Sequence, residues 1–145
     1  MGTKIIKSIL VLALFLTTST CFATEIIRVG ISDNDFQQVK HSDVRVYATN
    51  DYMICDKLTK QVIAKIPASK SIRVIHEEDS FLVNIDNEST LGIQSFVLVS
   101  EKGLIGIYGL RRNGKPALYH GAMEFTRAKD KNGFYIINQV EIQDY

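Results

Sequence analysis

The sequence predicts a mostly β fold: antiparallel strands with a C-terminal three-stranded meander, and little helix beyond the first residues. Three observations carry that expectation. Apolar residues recur with period two in short runs, the spacing that sends alternate side chains to one face of a strand. Turn residues separate the runs, and only 2 prolines occur in 145 residues. Two Asn-Gly pairs, Asn113-Gly114 and Asn132-Gly133, stand between alternating segments. Asn-Gly is the strongest local hairpin signal, because both central residues of a type I′ turn need positive φ.

Residues 1–23, MGTKIIKSILVLALFLTTSTCFA, have the layout of a secretory signal peptide. Lys4 and Lys7 precede an apolar run from Ile9 to Leu16, then a Thr/Ser patch and Cys21-Phe22-Ala23, with cleavage expected after Ala23. The run is far shorter than the roughly 20 residues needed to span a bilayer, so no stable membrane span is expected after cleavage. The expected destination is the periplasm, the cell wall or the exterior.

From Thr24 onward the strand candidates follow in order. EIIRVGIS (25–32) opens the fold, and VRVYA (44–48) and YMICD (52–56) flank a turn at Thr49-Asn50-Asp51. KQVIAKI (60–66), SIRVIHE (71–77) and FLVNID (81–86) continue the series, with the acidic run Glu77-Glu78-Asp79 as a loop that blunts strand edges. LGIQSFVLVSE (91–101) and LIGIYGLR (104–111) come next, with Gly103 allowing the turn between them. One short helical turn is expected around Asp35 to Val39, capped by Asp33 or Asn34. The two Asn-Gly turns then fold IGIYGLRR, KPALYHGAMEFTR and FYIINQVEI into the meander. In its middle strand Tyr119, Gly121, Met123 and Phe125 share one face, and Leu118, His120, Ala122 and Glu124 the other.

Several chemistries are disfavoured. Without Lys4 and Lys7, the segment from Thr24 carries 15 basic and 16 acidic residues, which makes no electrostatic case for nucleic acid or anionic membranes. Cys55 is the only cysteine of that segment and reads as a small buried hydrophobe. His41, His76 and His120 lack metal-ligand spacing, so no metal is expected. There is no G-x-S-x-G elbow and no phosphate-binding glycine loop, so no cofactor is expected either. Gly103, Gly106 and Gly109 read as strand and turn glycines. Glu124 and Glu141 are the acids embedded in the meander. Both fall on the polar phase of their strands, where desolvation would be slight, so neither is expected to act as a general acid on a glycosidic bond.

What remains is contact chemistry. Arg111, Arg112 and Lys115 flank the Asn113-Gly114 turn as a small basic tip, which is either a solvated hairpin end or a contact for an anionic polymer. Tyr119 and His120 complete the candidate contact residues. His120 and Glu124 are expected to share one wet strand face.

GKPALYHGAMEF followed by FYIINQVEIQDY resembles the stage II sporulation protein D / LytB (amidase-enhancer) family. Tyr119, His120, Gly121 and Glu124 fall on that family's tyrosine–basic–glycine–x–x–glutamate strand, with His120 where arginine is usual. Ile137, Asn138, Val140, Ile142, Asp144 and Tyr145 fall on its second segment, with Gln143 where glutamate is usual. IRVGIS and DYMICDKLTKQVIAKI are similar to the family's upstream units. The resemblance implies export and action at peptidoglycan, with peptidoglycan or a cell-wall protein as partner. Sporulation members are lytic transglycosylases; LytB-type members are linked to amidase stimulation. The family's catalytic glutamate lies in a motif that follows the segment matching Asp144-Tyr145, and no residue of this chain matches it. The resemblance thus implies that 24–145 is the β-rich N-terminal part of such a domain, incomplete and not catalytic by itself. The alternative expectation is a complete, non-catalytic exported β-rich binding module.

Overall fold

The structure is a computed structural model that describes residues 24–142. Residues 1–23, where a signal peptide is expected, and positions Asp144 and Tyr145 lie outside the described residues. Among the described residues thirteen strands follow one another: β1 (Ile26–Gly30), β2 (Lys40–His41), β3 (Asp43–Ala48), β4 (Tyr52–Asp56), β5 (Val62–Ile66), β6 (Ile72–His76), β7 (Phe81–Ile85), β8 (Ser89–Ile93), β9 (Phe96–Val99), β10 (Ile105–Arg112), β11 (Lys115–Tyr119), β12 (Ala122–Arg127) and β13 (Phe134–Glu141). They form two antiparallel sheets. The larger has the order β1-β13-β12-β9-β4-β5, with β2 also paired to β13, and the smaller has the order β11-β10-β3-β6-β7-β8. The mostly β, antiparallel expectation holds.

Alternation explains the layering. In β13, Phe134, Ile136, Asn138 and Val140 are buried, and the residues between them are not. In β3 the buried set is Val44, Val46 and Ala48. These inward sets face each other across one core. Phe81 of the smaller sheet meets Phe96 and Phe134 of the larger edge-on, at 5.4 and 5.3 Å between ring centroids, and Phe96 stacks on Phe125 at 4.6 Å. All four rings are fully buried. Truncating any one to alanine is of order 3–5 kcal/mol destabilising.

The chain passes repeatedly between the sheets at one end of the molecule. Residues 49–51, 67–71, 100–104 and 120–121 each link a strand of one sheet to a strand of the other. The first and third links are tied together, since Thr49 N–H donates to the Leu104 carbonyl at 2.9 Å and Leu104 N–H donates to Thr49 Oγ1 at 2.8 Å.

The meander is consequently not one continuous piece of sheet. KPALYHGAMEFTR breaks at His120-Gly121, so β10–β11 is a hairpin of the smaller sheet and β12–β13 a hairpin of the larger. Gly121 makes the break possible. Its φ is +79°, and a Cβ there would stand 2.1 Å from the Gln139 carbonyl oxygen. Asn138 holds the break from below: its buried Nδ2 donates to the carbonyls of His120 at 2.7 Å and Ala122 at 3.1 Å. LGIQSFVLVSE breaks as well, into β8 and β9 in different sheets.

Three local expectations are corrected. Asn113 (φ 52°) and Gly114 (φ 74°) make the expected turn, but at the second Asn-Gly pair positive φ falls on Lys131 (60°) and Gly133 (100°), not on Asn132. That connection is a longer loop closed by Lys131 N–H to Ala128 carbonyl and Ala128 N–H to Gly133 carbonyl hydrogen bonds. Residues 35–39 form no helix. The Asp33 carboxylate accepts from Gln37 N–H at 2.9 Å, while Asn34 turns away to bond β10. Finally, β9 and β10 do not pair, so Gly103 serves as a close-approach residue: a Cβ there would meet Asn50 at 2.8 Å.

Candidate polymer-contact site

The residues singled out from sequence fall in three places. The basic tip sits at the end of the β10–β11 hairpin, far from the crossover end. Its members differ in freedom. Lys115 is exposed. Arg111 donates from its guanidinium to the Gly114 carbonyl within its own turn. Arg112 is engaged with the segment after β1: it donates to the carbonyls of Ser32 at 2.9 Å and Asp33 at 3.3 Å and stands 4.6 Å over the Phe36 ring. Asn34 adds two bonds to β10, accepting from Arg111 N–H at 2.7 Å and donating to the Gly109 carbonyl at 2.9 Å. Arg112 is therefore a strap between the sheets rather than part of an open basic tip.

Tyr119 and His120 lie at the other end of β11, five residues or about 16 Å along the strand. Tyr119 is half-buried against the core, and burial raises its phenol pKa while nearby Arg112 opposes the shift. His120 is exposed and lines an open hollow of about 690 Å³ with Ser100, Glu101, Lys102, Gln139 and Glu141. A second hollow of about 660 Å³ lies on the other side of Glu101 and Lys102, bounded by Asn50, Asp51, Lys65 and Pro67. The crossovers shape both hollows, and both are lined by apolar, polar and charged residues.

Glu124 occupies neither place. It points from β12 to the outer face of the larger sheet, yet is 1% exposed, because side chains from three other segments close over it. Its Oε2 accepts from the Arg28 guanidinium at 2.6 Å and the Gln139 amide at 3.0 Å. Its Oε1 pairs with Lys57 Nζ at 2.6 Å and accepts from the Thr126 hydroxyl at 3.1 Å. Burial pushes the carboxyl pKa up, but bonds from Lys57, Arg28, Gln139 and Thr126 outweigh it and hold it at about 2. The expected wet face shared by His120 and Glu124 does not exist, since Gly121 turns the chain between them. The expectation of slight desolvation at Glu124 is also overturned. Chemically, a carboxylate saturated with donors and held ionised has no proton to give.

Gly121, Glu124 and Asn138, three of the motif positions, thus converge on one task, turning the chain from sheet to sheet and seating β12 against β13. The remaining nucleophile and ligand candidates stay separate. Cys55 is buried and its thiol pKa is raised by that burial. His41 Nε2 faces the Ile31 carbonyl at 2.8 Å, and His76 Nε2 faces the Lys131 carbonyl at 2.6 Å. Among the described residues no group of three His, Cys, Asp or Glu side chains is placed to hold a metal ion.

No known protein family profile, no curated protein and no solved structure matches this chain.

Proposed function

We propose that this chain is an exported, peptidoglycan-associated protein that works as a non-catalytic β-rich scaffold, akin to the N-terminal part of stage II sporulation protein D / LytB-type proteins. The observation that carries the reading is the spacing Tyr119-His120-Gly121-x-x-Glu124 with Asn138. The spacing on which the resemblance rests is also the spacing this crossover needs. Gly121 supplies the positive φ, Asn138 satisfies the two carbonyls beside it, and Glu124 anchors the strand that follows. The crossover end, with His120 in its hollow, offers hydrogen-bonding chemistry for a glycan or its peptides. The ionised state of Glu124 removes that residue as a general acid.

Sedimentation with purified peptidoglycan sacculi tests this. The purified protein should pellet saturably with the sacculi and release no anhydro-muropeptides. Protein left in the supernatant at every sacculus concentration overturns the association. Anhydro-muropeptide release overturns the non-catalytic assignment.

A further inference from the structure

The outer face of the smaller sheet carries an aromatic pair that the reading above does not use. Tyr47 on β3 and Leu118 on β11 are the register partners of Gly106 on the intervening strand β10, so the three form a row on one face. With no side chain on Gly106, the Tyr47 ring lies directly over the strand: a Cβ at position 106 would stand 2.5 Å from the Tyr47 ring carbon that bears the hydroxyl. Tyr108, two residues further along β10 and on the same face, closes against that ring with centroids 4.6 Å apart and planes at 43°. Tyr108 is 56% exposed and Leu118 41% exposed. Arg45, two residues before Tyr47 on the same face, is exposed and is absent from the ion pairs of the described residues; its neighbour Arg73 is paired with Asp43 at 2.9 Å.

These rings point away from the core, so the core does not explain them. A protein partner fits poorly, because a specific interface buries at least about 1,000 Å² and two rings supply a fraction of that, with Arg45 and the Asp43–Arg73 pair alongside. The pair suits a ring-shaped molecule that is apolar on one face and polar at its rim. A pyranose is such a molecule. Its axial C–H groups carry slight positive charge and meet the negative face of an aromatic ring, while its hydroxyls reach phenol and guanidinium groups at the edge. Leu118 adds an apolar patch of the size of an acetyl methyl.

We propose that Tyr47 and Tyr108 form a stacking platform for a pyranose of a β-linked N-acetylhexosamine chain, with Arg45 at its polar rim and Leu118 beside its acetyl group. The choice of an N-acetylated sugar rests on the proposed association with peptidoglycan; the platform itself does not. Thr49 and Leu104, which line the hollow beside His120, are each two residues from the Tyr47–Gly106 pair, so a longer glycan on the rings runs toward that hollow.

The chain has 6 tyrosines and no tryptophan, so tyrosine emission is not masked and Tyr47 and Tyr108 are two of its six sources. Titration of the purified protein with chitotetraose should give a saturable change. Tyr108→Phe should bind within about twofold of wild type, and Tyr108→Ala about tenfold more weakly, a loss of about 1.4 kcal/mol. Gly106→Ala should also bind about tenfold more weakly, because the new methyl meets only the far end of the Tyr47 side chain and displaces the ring without unfolding the sheet. No saturable change, or folded Tyr108→Ala binding as wild type does, overturns the platform. Equal affinity for cellotetraose, which lacks acetyl groups, overturns the N-acetyl assignment. Sacculus sedimentation that is retained in Tyr108→Ala while chitotetraose binding never saturates defeats the platform alone. Tyrosine-dependent chitotetraose binding without sedimentation supports the platform and defeats the association with peptidoglycan.

Discussion

The outer face of the larger sheet closes over its charges, whereas that of the smaller sheet carries a half-buried tyrosine, Tyr47, beside an exposed one, Tyr108. On the larger sheet Glu124, Arg28, Lys57, Gln139 and Thr126 satisfy one another, and the central carboxylate is cut off from solvent. On the smaller sheet Tyr47 and Tyr108 pack on each other, and more than half of Tyr108 faces water. Each face depends on a glycine where a methyl group has no room. The difference lies in what the methyl would strike: a backbone carbonyl at Gly121, the tip of a side chain at Gly106. The first arrangement fixes the fold. The second sets a surface.

Alanine at the two glycines is the sharpest way to break this comparison. Gly121→Ala forces a positive φ on a residue with a Cβ and drives that Cβ to 2.1 Å from the Gln139 carbonyl oxygen. Neither strain can be relieved without moving β13, so a loss of more than about 3 kcal/mol is expected, read as a large fall in the urea midpoint or as failure to fold. Gly106→Ala should change the midpoint by less than about 1 kcal/mol. Equal effects at the two positions would mean that both glycines serve the fold and that the tyrosine pair is incidental.

The same contrast separates what the sequence disclosed from what it concealed. Alternation and turn residues located nearly every strand, because β3, β6 and β7 each bury one phase of a period-two run. Alternation says nothing about which sheet a strand joins. KPALYHGAMEFTR alternates smoothly through Gly121, and the carbonyl that demands a glycine there belongs to Gln139, 18 residues later. Glu124 was readable as outward-pointing but not as buried, since Arg28 reaches it from 96 residues away. Tyr47 and Tyr108 come together only through the β3–β10 pairing, so neither stood out alone. Gly106 was visible as a strand glycine; its reason was not.

Removing the charge at the centre of the larger sheet's face is expected to have an intermediate effect. Glu124→Gln keeps the shape but leaves Arg28 and Lys57 without their counter-charge. Because Arg28 and Lys57 are 55% and 31% exposed, part of the loss is relieved by water, and about 1–3 kcal/mol is expected at pH 7. The folded-state pKa is lowered from 4.5 to about 2, so the unfolded chain takes up the proton first as pH falls. The stabilisation is therefore complete above about pH 4.5 and lost between about 4.5 and 2. Urea midpoints of wild type and Glu124→Gln should converge across that window. Asp43, Asp56 and Asp130 also have lowered pKa values, through bonds from Arg73, from Thr59 and Leu58, and from Lys40 respectively, but they are present in both proteins and drop out of the difference. A gap that stays constant down to pH 2 would show that the ion cluster is not what Glu124 contributes.

A smaller loss than at Glu124 is expected at the strap that joins the two sheets beyond the platform. Arg112→Ala removes the bonds to Ser32 and Asp33 and the contact over Phe36, while Asn34 keeps its two bonds to β10. About 1 kcal/mol should be lost, with faster amide hydrogen exchange confined to residues 32–38. Tyr108 stands just before the irregular stretch of β10 that this strap grips, at Gly109 with φ +82°. If Gly106 alone seats the rings, chitotetraose affinity in Arg112→Ala stays within about twofold of wild type. A tenfold loss, matching that expected for Gly106→Ala, would mean that the strap shapes the platform as well, and the two faces would then be coupled through β10 rather than independent.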